Sequence, residues 1–270
     1  MTNLPTNPHP TRVTSAPGGP PAQQFYIRMS QPRWTRILLG CNIAIFVLMT
    51  LYGILVYSDW NGTQNARVLV FFGAKVNILV AQGQVWRLFT AMFIHIGIIH
   101  LLFNLYALNA LGPLVEGFFG PRRFLWIYVL GGIWGSVASF ARSDALSAGA
   151  SGAIFALVGA ATVYFLRYRE NFGERGRAIV QNMFVVIGIN LVFGLSMPGI
   201  DNWGHIGGLI GGAAVAYGLL PRYRAPATLH FGAQPLEEES LPSFEWLWVG
   251  GHVLLLFLAI RFISAQYLAG

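Results

Sequence analysis

Apolar residues run along this chain in seven blocks, near 37–57, 95–117, 124–141, 151–167, 179–197, 203–220 and 246–267. A helix rises ~1.5 Å per residue and the hydrocarbon core of a bilayer is ~30 Å thick. The pattern therefore predicts an all-α fold, a polytopic membrane helix bundle. Residues 1–33 are rich in Pro, Thr, Asn and Gly, and predict a disordered cytoplasmic tail without the apolar segment of a signal peptide. Residues 34–220 predict a six-helix core. Residues 221–243, with four prolines and the run Glu237, Glu238, Glu239, predict a solvated cytoplasmic linker. Residues 244–270 predict a seventh transmembrane helix. The stretch 58–91 is too apolar for an ordinary loop and too interrupted to cross, which predicts an interfacial, partly re-entrant connector.

Composition agrees with this pattern. The chain is 55% hydrophobic and 10% charged, with 32 glycines among 270 residues, where a soluble domain carries roughly 25% charged residues. A net charge of +7 could suggest a nucleic-acid partner. Its arginines instead sit in short loops between blocks, so the expected partner is the lipid bilayer and not nucleic acid. With the N-terminus in the cytoplasm, Arg12, Arg28, Arg33, Arg36, Arg122, Arg123, Arg167, Arg169, Arg175, Arg177, Arg222 and Arg224 all fall inside. Only Arg67, Lys75, Arg87, Arg142 and Arg261 fall outside. The lone Cys41 allows no internal disulfide. Nothing in the pattern fixes an oligomeric state.

Polar groups inside apolar blocks are costly and usually functional. Three clusters occur: His95, His100 and Asn104 at the start of the second block; Gly149-Ala150-Ser151-Gly152 opening the fourth; and Asp201-Asn202-Trp203-Gly204-His205 opening the sixth. Even-numbered spans all begin on the same side, so the three clusters share one depth, beneath the outer face. Gly204, Gly208, Gly212 and Ala216 recur at every fourth position, as do Gly152, Ala156 and Ala160. Such ladders let membrane helices approach closely and could bring Ser151 and His205 together. His100 and Asn104, four apart, share a helix face.

These groups allow nucleophilic acyl transfer. His205 would take the Ser151 proton and later return it to the leaving group. The Ser151 N–H, with His100 and Asn104, would stabilise an oxyanion. Asp201 is expected near the membrane edge, which favours a Ser–His dyad over a triad. His95 lies well around the helix from His100, and is as compatible with a structural role as with a catalytic one. Zinc is not expected: no Cys or Glu lies among the histidines, and His95 and His100 lack helical i, i+4 spacing. No cofactor is expected. Arg87 and Glu116 read as structural, and no partners are legible for His230 or His252.

The residues resemble those of the rhomboid family of intramembrane serine proteases, over roughly 73–217. The resemblance rests on Gly83-Gln84-Val85-Trp86-Arg87, His95…His100…Asn104, Glu116, Gly149-Ala150-Ser151-Gly152 and His205-Ile206-Gly207-Gly208…Gly212. It implies a six-helix rhomboid core with a Ser151–His205 dyad and an oxyanion site from His100, Asn104 and the Ser151 N–H. It also implies that Trp86 and Arg87 help hold the connector, partly in the membrane, and that substrates are transmembrane proteins cut near helix-destabilising residues. The seventh span is similar to the six-plus-one arrangement of some members. Where active members often carry a tyrosine stacked on the histidine, four residues after the serine, this chain has Phe155. The expected location is a bacterial cell membrane, with the site opening to the outer face.

Two other classes compete with a protease. A non-catalytic rhomboid-like protein that binds membrane clients would not need both Ser151 and His205. A transporter would carry polar groups through the full depth, with inverted repeats, whereas here they concentrate toward one face.

Overall fold

A computed structural model describes residues 25–196, 199–228, 233–239 and 241–269. Seven long helices carry the fold: α1 (Arg33–Tyr57), α5 (Ile98–Phe119), α6 (Pro121–Arg142), α7 (Ser151–Arg167), α8 (Arg169–Ser196), α9 (Asn202–Gly218) and α10 (Pro242–Ala269). Between α1 and α5 lie three short helices, α2 (Ala66–Phe72), α3 (Asn77–Ala81) and α4 (Arg87–Thr90). Four of the long helices (α1, α5, α6 and α10) are long and apolar enough to cross a bilayer. The expected all-α polytopic bundle is the observed one.

Helix α6 is the spine, packed against both α7 and α9, and glycine explains how closely. A Cβ added at Gly208 would sit 2.1 Å from the Gly152 carbonyl oxygen, and one at Gly212 would sit 2.3 Å from Ala156 Cα. From α6, an added Cβ at Gly131 would meet Ala156 Cβ at 2.3 Å, and one at Gly135 would meet the Gly204 carbonyl at 2.7 Å. At Gly208, Gly212 and Gly135 the helices thus approach backbone to backbone, while elsewhere the Trp134 and Ala138 side chains of α6 fill the space beside Gly211 and Gly207 of α9. The two small-residue ladders read from the sequence do face each other. On α6 the matching small residues are Gly131 and Gly135, also four apart, which the sequence reading did not single out. Around this seam the core fills with Tyr128, Tyr164, Phe119, Phe124, Phe140 and Phe165, all fully buried.

Helix α1 starts after Pro32 with no cap from its own side chains. Glu116 of α5, fully buried, supplies one instead. Its carboxylate accepts hydrogen bonds from the Trp34 and Thr35 N–H groups, each at 2.9 Å, and from Thr35 Oγ1 at 2.8 Å. A negative charge at a helix N-terminus satisfies orphan donors and complements the helix dipole.

Three regions differ from the sequence expectation. The fifth span was expected at 179–197, but α8 begins at Arg169, extending through a polar stretch that carries no apolar signal and, with Gly173 and Gly176, little helix propensity of its own. The linker 221–243 is not simply solvated: β2 (Arg222–Arg224) pairs antiparallel with β4 (Glu237–Glu239). Within it, Arg224 pairs with Glu237 at 3.2 Å. The tail 1–33 is structured at its end. There β1 (Phe25–Tyr26) pairs with β3 (Gln234–Pro235), and the Ser30 N–H bonds to the Gly117 carbonyl at 3.0 Å. Residues 1–24 and His230 lie outside the described residues.

Helix α10 lies along α6. Arg123 of α6 ion-pairs with Glu245 of α10 and with Glu238. The indole of Trp134 donates to His252 Nδ1 at 3.1 Å, giving that histidine a partner the sequence did not reveal. Tyr267 reaches Asp144, beyond the other end of α6, at 3.4 Å.

Candidate active site

Helix α7 begins at Ser151 and α9 begins at Asn202, three residues before His205. Because the two helices touch at Gly152 and Gly208, their first turns lie side by side. His205 Nε2 is 2.9 Å from Ser151 Oγ, within hydrogen-bond range for this pair. For Nε2 to accept from the hydroxyl, a neutral ring must carry its proton on Nδ1. Among the described residues Nδ1 has no hydrogen-bond partner. The Phe155 ring lies 4.4 Å from the imidazole and 12° from parallel, closing its other side.

Among the described residues the Asp201 carboxylate does not bond to the His205 ring. Its Oδ1 accepts from the Gly204 N–H at 2.9 Å, capping α9, and its Oδ2 accepts from Ser147 Oγ at 2.5 Å. Its carboxylate is committed to the start of α9 and to the loop between α6 and α7.

No side chain caps α7, so the donors of its first turn point outward without intrahelical partners. Next to them, the Gly149 backbone has φ of +137°, and a Cβ there would sit 2.7 Å from the His100 ring. Only glycine fits that approach. Asn104 is buried, and its amide donates to the His100 carbonyl at 2.9 Å. His100 thus lies against Gly149, two residues before Ser151, and Asn104 is bonded to the backbone of His100. His95, fully buried, has a different task. Its Nε2 accepts from the Ala150 N–H at 3.4 Å, while the Gly149 N–H bonds to the Ala91 carbonyl at 2.8 Å. It anchors the backbone just before the serine and does not face the dyad by hydrogen bond.

The connector is pinned to the same region. Arg87 bonds to Gln84 Oε1 at 2.7 Å and to the Val70 and Ala74 carbonyls at 2.7 and 3.1 Å, and it stacks on Trp86 at 4.6 Å. Thr90 Oγ1 donates to the Gly73 carbonyl at 2.8 Å. The sequence reading missed Lys75 and Ser147. Lys75 is the chain's only lysine, a signal that was present. Ser147 carried none.

Apolar helices meeting backbone to backbone, with a serine hydroxyl held on an imidazole where two of them begin, define a polytopic integral membrane protein with a Ser–His pair in its bundle. A sequence model of the Rhomboid domain matches residues 82–222, just over half of the chain. The chain belongs to the rhomboid family. It is 48% identical over 191 residues to "Rhomboid protease GluP" of Bacillus subtilis, covering 70% of this chain and 36% of that protein. It is 41% identical over 143 residues to "RHOMBOID-like protein 7" of Arabidopsis thaliana, covering 53% of this chain and 45% of that one. It is 34% identical over 160 residues to "Rhomboid-like protease 1" of Toxoplasma gondii, covering 56% and 52%. The chain thus spans about half or less of the length of these relatives.

Proposed function

We propose that the protein is an intramembrane serine endopeptidase that cleaves transmembrane proteins in or next to their membrane segments. The observation that carries this is the 2.9 Å contact between Ser151 Oγ and His205 Nε2. In the proposed reaction Oγ attacks the scissile carbonyl carbon as its proton passes to Nε2. The resulting oxyanion lies against the Ser151 N–H, His100 and Asn104. The imidazolium then protonates the leaving amine, and water, deprotonated by the same ring, releases the acyl group. His95, Gly149 and Gly152 place the serine, Gly208 and Gly212 place the histidine helix, and Trp86 and Arg87 hold the connector.

The basic-residue bias supports a cytoplasmic N-terminus and a site opening to the outer face of a bacterial cell membrane. The test uses the full chain, reconstituted with a transmembrane substrate. Ser151→Ala and His205→Ala should each abolish cleavage, and a fluorophosphonate should label wild type at Ser151 alone. Cleavage that persists in both variants removes this reading. A folded wild type that neither cleaves nor labels favours the non-catalytic, client-binding alternative.

A further inference from the structure

Outside the dyad, one buried group sits where both halves of the site are tied together. Lys75 lies in the connector, between α2 and α3, and is fully buried. Its Nζ donates to Ser139 Oγ at 3.0 Å and to the Ser143 carbonyl at 2.8 Å, at the end of α6. Its backbone pairs in both directions with Ser147, at 2.9 and 3.1 Å. Two residues further on, Asn77 donates to the Phe140 and Ser143 carbonyls and to Asp144. One stretch of connector therefore grips the end of α6 and the loop that leads into Ser151.

From Ser147 the chain of contacts forks. Through its hydroxyl it reaches Asp201, whose other oxygen caps α9 at Gly204 and whose carbonyl accepts from the His205 N–H at 3.1 Å. Through the backbone it leads in four residues to Ser151. Arg87 and Arg123 are buried too, but Lys75 is the most completely withdrawn of the three, and Arg123, unlike it, is ion-paired. None of the ion pairs among the described residues includes Lys75. The carboxylates facing it are Asp144 on the loop after α6 and Asp201 before α9. Burying an ammonium without a contacting carboxylate is costly, and an apolar isostere at such a site is often neutral or stabilising. Stability does not account for the residue.

We infer that Lys75 is a positioning residue for the dyad: its ammonium fixes Ser139 and Ser143 at the end of α6, where the loop 143–150 starts, its backbone holds Ser147 within that loop, and through Ser147 and Asp201 the loop sets Ser151 against His205. The inference rests on the proteolytic reading and deepens it. Lys75 touches neither reacting atom. Its effect is to keep two first turns in register, and an error of about 1 Å in such geometry can cost up to about a hundredfold in rate.

The experiment compares wild type, Lys75→Met, Lys75→Arg and Ser147→Ala as full chains in detergent. Each is assayed for thermal midpoint, for the rate of fluorophosphonate labelling at Ser151, and for kcat and KM on a transmembrane substrate. Lys75→Met should keep its thermal midpoint within about 5 °C while labelling and kcat fall roughly tenfold or more with KM little changed. Ser147→Ala should lose activity in the same pattern, more weakly, and Lys75→Arg should recover part of what Lys75→Met loses. Labelling and kcat at wild-type rates in both Lys75→Met and Ser147→Ala overturn the inference while leaving the protease reading intact. A loss confined to the thermal midpoint overturns it also. If Lys75→Met does not fold, the Ser147→Ala and Lys75→Arg data decide alone. If wild type itself does not label, the protease reading fails and this inference falls with it.

Discussion

Phe155 lies flat on His205, ring centroids 4.4 Å apart and planes 12° from parallel. It stands one helical turn after Ser151, so α7 presents both the Ser151 hydroxyl and the surface on which the His205 ring rests. Stacking fixes the imidazole about one axis, and the hydrogen bond to Ser151 Oγ fixes it about another. Phe155→Tyr keeps the aromatic face and should retain activity within about threefold, whereas Phe155→Ala frees the ring and should lower kcat by roughly tenfold or more. Steady-state cleavage of a reconstituted substrate measures both.

Gly208 faces the Gly152 carbonyl so closely that an added Cβ would be 2.1 Å away. The atom it meets is backbone and cannot rotate aside. Gly208→Ala should separate α7 from α9, cost about 1–3 kcal/mol, and reduce Ser151 labelling more than it reduces the thermal midpoint. An unchanged labelling rate would show that the dyad does not depend on this contact.

Glu116 caps a helix 81 residues away in sequence, through both oxygens. Glu116→Gln keeps the shape but loses the charge and turns one acceptor into a donor facing N–H groups. A loss of about 1–2 kcal/mol is expected, read as a lower thermal midpoint, with Ser151 labelling at temperatures well below it little affected.

Burial holds the Lys75 ammonium's pKa down, to about 8 from 10.5, with Asp201 and Asp144 pulling partly back. The folded protein thus gives up this proton near pH 8, while the unfolded chain keeps it to about 10.5. Between those values the unfolded state binds more protons, so this group makes stability rise with pH. The rise is at most about 3 kcal/mol. The thermal midpoint of wild type relative to Lys75→Met should climb between pH 7 and pH 10. A flat difference would mean that Lys75 is not buried as an ammonium.

The seven apolar blocks were legible because each is longer than any turn. The boundaries failed where a helix leaves its apolar stretch, as α8 does over residues 169–177. They also failed where short strands borrow partners far along the chain, as Phe25–Tyr26 does from Gln234–Pro235. Ser151, His205, His100 and Asn104 were legible because a polar side chain in an apolar block has few explanations. Asp201 was visible as a residue, but its role as a cap bonded to Ser147 depends on a loop whose path no local pattern encodes. Lys75 was missed for a related reason: one lysine in a connector looks like surface charge until the fold closes over it.

Where Gly152 meets Gly208 and Ala156 meets Gly212, the distance between the two helices is set by main-chain atoms, which have no rotamers to sample. Thermal motion of side chains elsewhere in the bundle therefore has little purchase on the gap between hydroxyl and imidazole. Rearrangement of the outer helices can therefore occur while the spacing of these two side chains is kept.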